Sequence, residues 1–171
     1  MLGGAASGLL TGVVGRHRAV SAADVVGPLS FFLLPTPARA YDTRPGAPPD
    51  GTNPDTGSGD TKFVNNEVRR IDVSFPLGTG AATGVPTSSQ AVLLAVTVAN
   101  VGGTGGGNLR IWGDTSVEPA TASMTWERAG TVTTNTVITA HVDGRVRIRL
   151  SGAADCTVDV VVDVLGYYDV P

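Results

Sequence analysis

CTVDVVVDVLGYY, Cys156–Tyr168, is the longest run of β-forming residues in the chain. Val158, Val160, Val162 and Val164 fall on one parity; Thr157, Asp159, Val161, Asp163 and Leu165 fall on the other. A strand turns successive side chains to opposite faces, so valines line one face and two aspartates mark the other. The valine face must bury against a second layer, and the aspartate face must stay wet or be paired. This reads as the last strand of an all-β domain, with Tyr167 and Tyr168 closing its exit.

Just upstream lies the clearest hairpin. TNTVITAHV and RVRIRL flank Asp143-Gly144, the pair that favours a type I′ turn. In the return strand Val146, Ile148 and Leu150 alternate with Arg145, Arg147 and Arg149. One face belongs to the core and the other is a row of arginines. Like charges in a row repel, so the preferred reading pairs that row with Asp159 and Asp163 on the neighbouring strand. The competing reading turns the row toward an acidic partner.

Further back, AVLLAVTVANV (Ala91–Val101) is nearly uninterrupted apolar, as a central strand buried on both faces is. The GGTGGG that follows lacks the Gly-Lys-Ser/Thr ending of a phosphate loop and reads as a hairpin loop. Asn108–Trp112 and Ala122–Trp126 are short strands. Trp112 and Trp126 are candidates for an aromatic platform that stacks on sugars, against ordinary packing. EVRRIDVSF holds an edge or half-exposed strand, with Arg69, Ile71, Val73 and Phe75 on one parity. Leu29–Leu34 is a candidate buried strand closed by Pro35 and Pro37. In PARAYDTR (Pro37–Arg44), Arg39, Asp42 and Arg44 gather around Tyr41, as a structural pin or as a binding site. Residues 1–28 form a Gly/Ala/Val-rich arm with a short helix from Ser21. Its apolar residues lack a clear period of their own, so it reads either as a floppy terminus or, the preferred reading, as an arm that orders only against another subunit.

Composition narrows the classes of function. In 171 residues there are 23 glycines and 11 prolines, which fits strands joined by tight turns. Together the signals specify a single β-sandwich, with a jelly-roll or barrel as variants, over 29–171, and an arm over 1–28. A net charge of −3 makes no case for nucleic acid or an anionic membrane. Leu29–Leu34 is far too short to span a bilayer, and the glycine-broken first residues do not read as a signal peptide, so a soluble protein is expected. Cys156 is the lone cysteine, which removes an intrachain disulfide and a cysteine-based zinc site. The carboxylates of Asp50–Asp60 do not fall at EF-hand spacing, so no metal and no cofactor is expected. His17 and His141 are the only histidines, and neither is placed to serve a catalytic triad. Asp159 and Asp163 lie about 13 Å apart along one strand, beyond the ~5–9.5 Å of glycosidase pairs. No catalytic site is expected.

Taken in order, PARAYDTR (37–44), AVLLAVTVANVGGTGGGNLRIW (91–112), PATASM (119–124), NTVITAHVDGRVRIRLSG (135–152) and TVDVVVDVLGYY (157–168) resemble a β-rich module of actinobacterial surface and secreted proteins. Similar modules occur in structural proteins of phages that infect those bacteria. The resemblance covers about residues 29–171. Ala95 stands where that family commonly has Asn, which weakens any role for that side chain. The resemblance implies a non-catalytic adhesion or assembly module, with host cell-surface glycan as a partner to consider. The expectation is a virion protein, a minor tail or capsid decoration protein. Its arm contacts other virion proteins, and it forms a homo-oligomer. The alternative is a secreted carbohydrate- or cell-wall-binding module.

Overall fold

Alternation tells each strand which face turns inward; hydrogen bonding decides which sheet it joins. The computed structural model describes residues 28–45, 61–74 and 83–171. The arm up to residue 27, the Asp50–Asp60 loop, Phe75 and the first part of the Gly78–Pro86 connection lie outside the described residues.

Nine strands are described: β1 (Ser30–Asp42), β2 (Phe63–Val64), β3 (Val68–Asp72), β4 (Ala91–Gly102), β5 (Gly107–Gly113), β6 (Met124–Trp126), β7 (Thr133–Ala140), β8 (Arg145–Gly152) and β9 (Thr157–Asp169). They form two antiparallel sheets, and there is no helix among the described residues. One sheet runs β1-β9-β4-β7, with β2 also on β9; the other runs β3-β8-β5-β6. The all-β sandwich read from the sequence is the fold.

β9 is the spine of the first sheet. β4 pairs along one edge, while β1 and β2 share the other, β2 at Val158 and β1 from Val161 onward. Its valine face, Val158, Val160, Val162 and Val164, is fully buried. It meets Ile71 of β3, Leu109 and Ile111 of β5, and Val146, Ile148 and Leu150 of β8 in one core. Each such side chain contributes about 1.5–3 kcal/mol through removal from water.

The turn at Asp143-Gly144 forms, but the strands flanking it do not pair as a hairpin: β7 joins β4 in one sheet and β8 joins β3 and β5 in the other, and the GGTGGG loop likewise crosses between sheets from β4 to β5 rather than closing a hairpin. Asp143 and Gly144 both have positive φ, 51° and 76°, the signature of a type I′ turn. Val142 and Arg145 exchange backbone hydrogen bonds across it at 3.1 and 2.9 Å.

Three further readings are corrected. First, β1 does not end at Pro35: it runs on through Pro37 to Asp42, with register shifts after Leu33 and after Arg39. It is an edge strand, where a proline facing outward removes no ladder bond. Phe31, Phe32 and Leu33 are exposed, so its first half is not a buried strand. Second, β4 is central but buries one face only: Val92, Leu94, Val96 and Val98 are inside, while Leu93, Ala95 and Thr97 are half-buried. Third, β8 and β9 follow each other in the chain yet lie in opposite sheets, so Arg145, Arg147 and Arg149 do not pair with Asp159 and Asp163. The turn before Cys156, closed by its N–H to the Ala153 carbonyl at 2.9 Å, crosses from one layer to the other. Both strands have a wholly apolar inner face, and those faces meet across the core rather than side by side.

Candidate functional site

Three polar clusters and one apolar end stand out against this frame. The first cluster closes the end of β1. Asp42 is fully buried, and its carboxylate accepts from Arg44 Nε at 2.9 Å, Arg44 Nη2 at 2.6 Å and the Arg44 backbone N–H at 3.0 Å. Arg39 bridges Asp42 to Asp163 on β9. Burial alone would raise the Asp42 carboxyl. Hydrogen bonds from the Arg44 side chain and backbone, then the charges of Arg44 and Arg39, outweigh it and hold the group below the usual carboxylate value. Beside it, the buried Asp159 accepts from Thr43 Oγ1 at 3.1 Å and from Asn100 Nδ2 at 2.7 Å, tying β1 and β4 to β9. Thr43 Oγ1 also accepts the Val160 N–H at 2.9 Å. So Arg39, Asp42 and Arg44 come together as expected, but Tyr41 is not among them: it points into the core.

Tyr41 belongs to a second cluster that sequence reading missed. Arg69 of β3 projects inward between the sheets and is only 2% exposed. It donates to both Glu67 oxygens at 2.7 and 2.9 Å, to Tyr41 Oη at 2.9 Å, and to the carbonyls of Thr61 and Lys62 at 2.7 and 2.9 Å. Its guanidinium lies 4.2 Å from the centre of the Phe63 ring. Burial works against the charged guanidinium, yet Glu67 and Tyr41 outweigh it and raise its pKa. Burial raises the Tyr41 phenol against the opposing pull of Arg69. The signal was present: Arg69 shares the parity of Ile71 and Val73, and a charge on a core parity needs a buried partner.

The third cluster lies on the outer face of the second sheet. β3, β8 and β5 are neighbours there, and their outward residues fall into rungs: Val68–Arg149–Arg110, then Arg70–Arg147–Trp112, then Asp72–Arg145. Two rungs set arginine directly against arginine. The connection after β5 supplies the opposing charge. Asp114 meets Arg147 at 2.7 Å and Arg70 at 3.9 Å; Glu118 meets Arg110 at 2.7 Å and Arg149 at 3.0 Å. Arg145 lies 3.9 Å from Asp72. The Nε groups of Arg110 and Arg149 are buried and make no hydrogen bond among the described residues, although the latter lies close to Glu118.

The tryptophan platform does not form. Trp112 and Trp126 are 7% and 5% exposed, and Trp126 sits in the core over Gly107, where a Cβ would come within 2.6 Å of its ring. Aromatic residues gather instead at the far end of β1. Phe31 packs on Tyr168 with centroids 5.0 Å apart, and Phe32 stacks on Tyr167 at 5.1 Å. Tyr167 also reaches the core. On the outside of this end Leu29, Phe31, Phe32 and Leu33 remain 39%, 43%, 38% and 70% exposed.

One pair has the residue types of a nucleophile and its base. Ser89 Oγ lies 2.7 Å from His141 Nε2, both buried. The protons point the wrong way for that chemistry. Gly144 N–H donates to Nδ1 at 3.0 Å, so the ring proton sits on Nε2 and is given to Ser89, whose own hydroxyl donates to the Pro86 carbonyl at 2.7 Å. The ring has no lone pair left for the serine proton. Burial pushes the His141 pKa down, against the pull of Asp143, Asp169 and Asp72. The buried Cys156 thiol is raised by burial and by Asp155, away from reactive thiolate character. Among the described residues no group of carboxylates, histidines and cysteines is arranged to hold a metal ion, and no helix is long and apolar enough to cross a membrane.

No protein-family model matches the chain, and no curated protein matches it.

Proposed function

We propose that the chain is a non-enzymatic structural module of a phage particle, a minor tail or capsid decoration protein. Residues 1–28 dock it to neighbouring virion proteins or to copies of itself, and the sandwich is displayed outward. The observation that carries this reading is the apolar end of β1. Leu29, Phe31, Phe32 and Leu33 stand exposed on an edge strand, at the point where the arm enters the sandwich. An uncovered apolar edge is a liability unless something covers it, and a protein neighbour is the natural cover. The proton arrangement of the Ser89–His141 pair and the internal use of Asp42, Asp159 and Arg69 support a non-catalytic role.

Mass spectrometry of purified particles tests the proposal. The chain is expected there with peptides from before Pro28 included; particles that lack it would overturn the reading.

A second reading, a secreted carbohydrate- or cell-wall-binding module, is favoured by one observation, the arginine rungs on the outer face of the β3–β8–β5 sheet.

A further inference from the structure

We infer that the outer face of β3, β8 and β5 binds an acidic polysaccharide, gripping uronate carboxylates with Arg110, Arg147, Arg149 and Arg70. The inference rests on the glycan-binding side of the proposed function and is independent of how the arm docks.

The starting point is an arrangement that folding does not ask for. Like charges directly opposite on neighbouring strands destabilise a sheet. Here Arg149 faces Arg110, and Arg147 faces Arg70, on adjacent rungs. Their inner-face neighbours, Leu109, Ile111, Ile148 and Ile71, already supply the packing that holds these strands. The outward positions have no core to serve.

The same face shows what it can hold. Asp114 spans Arg147 and Arg70, and Glu118 spans Arg110 and Arg149, so each resident carboxylate already sits between two guanidinium groups. Two carboxylates do not exhaust these donors. A guanidinium offers five N–H groups, and Arg147 gives Asp114 its Nε and Arg110 gives Glu118 its Nη1. The four side chains are between 26% and 40% exposed, so incoming acceptors can reach them. The planar fork of arginine matches a carboxylate through two parallel hydrogen bonds. Outward positions recur about every 6.6 Å along a strand and about 4.8 Å between strands, a flat charged lattice on which an extended acidic chain can lie.

Other polyanions fit less well. Single-stranded nucleic acid is held by stacking on exposed aromatic rings, and Trp112, the aromatic residue of these rungs, is buried. Duplex binding draws on broad phosphate neutralisation, and this chain carries a net charge of −3 with Lys62 as its one lysine.

The test uses the full chain and polygalacturonate as the probe, with neutral dextran, poly-glutamate and duplex DNA alongside, at about 50 mM salt so that screening is weak. Polygalacturonate is expected to bind and to weaken as salt rises; dextran is not. The double variant Arg147→Gln, Arg149→Gln is expected to lose at least about tenfold in affinity. Its melting temperature should hold or rise, because the like-charge rungs are relieved. Glu118→Gln, which frees two arginines and removes a resident competitor, is expected to bind more tightly. Polygalacturonate binding no better than dextran overturns the inference. So does an unchanged affinity in the double variant, or a weakened one in Glu118→Gln. Tighter binding of poly-glutamate or DNA assigns the face to a different macromolecule and equally overturns it. Presence of the chain in particles is unaffected by any of these results, so failure here and failure of the docking proposal are read separately.

Discussion

Two regions of this protein are rich in arginine, and they are built on opposite rules. Around Asp42 and Glu67 each arginine meets carboxylates, hydroxyls or carbonyls: Arg44 and Arg39 converge on Asp42, and Arg69 spends its donors on Glu67, Tyr41, Thr61 and Lys62. On the outer face of the second sheet, arginine is set against arginine, and two carboxylates from a connecting loop mediate. The buried clusters are complete without any other molecule. On the outer face four partly exposed guanidinium groups share two carboxylates. Charges that serve the fold are held between carboxylates, hydroxyls and carbonyls of the fold itself; arginines that outnumber their carboxylates at the surface are where a partner is to be sought.

The contrast can be broken at its strongest point first. Arg69→Met removes a guanidinium that is 2% exposed and strands Tyr41 and the two carbonyls it serves. A loss of about 3 kcal/mol in urea-unfolding free energy is expected, and Arg69→Lys should recover only part of it, because an ammonium cannot reproduce the fork. A loss below about 1 kcal/mol would mean that the buried cluster is ornamental.

Asp42→Asn is the next test. It leaves Arg39 and Arg44 without their shared anion, at a cost of about 2 kcal/mol. It also changes the acid limb of stability. The folded carboxyl titrates below its unfolded value of about 3.9. The ion pairs therefore contribute fully above that value, and the contribution fades as the pH falls through the folded pKa. The wild type should lose stability over that window while Asp42→Asn follows a flatter curve; parallel curves for the two proteins would contradict the assignment.

The smallest effect belongs to the outer face. Arg149→Gln should shift stability by no more than about 0.5 kcal/mol in either direction, since an exposed ion pair is traded for relief of a like-charge rung. A large destabilisation would place that face with the buried clusters and erase the distinction between the two regions.

The sequence made faces legible more readily than partners. The parity of Val158, Val160, Val162 and Val164 named the core side of β9, and Asp143-Gly144 named the turn before β8, because both are local properties of a few consecutive residues. Sheet membership is not local. The alternation of β8 and β9 is the same whether the two strands lie side by side or face each other across the core, so the arginine row was matched with the wrong aspartates. Pro35 and Pro37 looked like terminators because a proline is costly only where its missing N–H was needed, and on an edge strand it is not. Of the buried clusters, the gathering of Arg39, Asp42 and Arg44 was readable from short spacing. Arg69 was readable only as an anomaly, a charge on an apolar parity, and its partner Tyr41 lies in a strand 28 positions earlier. The arginine rungs needed three strands from distant parts of the chain to be placed side by side before their like-charge pairs could be seen.

The position of β9 has a kinetic consequence. Ser30 pairs with Asp169, and β4, β2 and β1 all draw their hydrogen bonds from this one late strand. During synthesis, every earlier strand of that sheet except the β4–β7 pair waits for a neighbour that is made after it. Pairing over such separations is slow, because loop closure must be completed before the contacts form. Until β9 arrives, the exposed phenylalanines of β1 have no Tyr167 or Tyr168 to pack against. The strand that holds the finished sheet together is thus also the one whose arrival gives the phenylalanines of β1 their first partners.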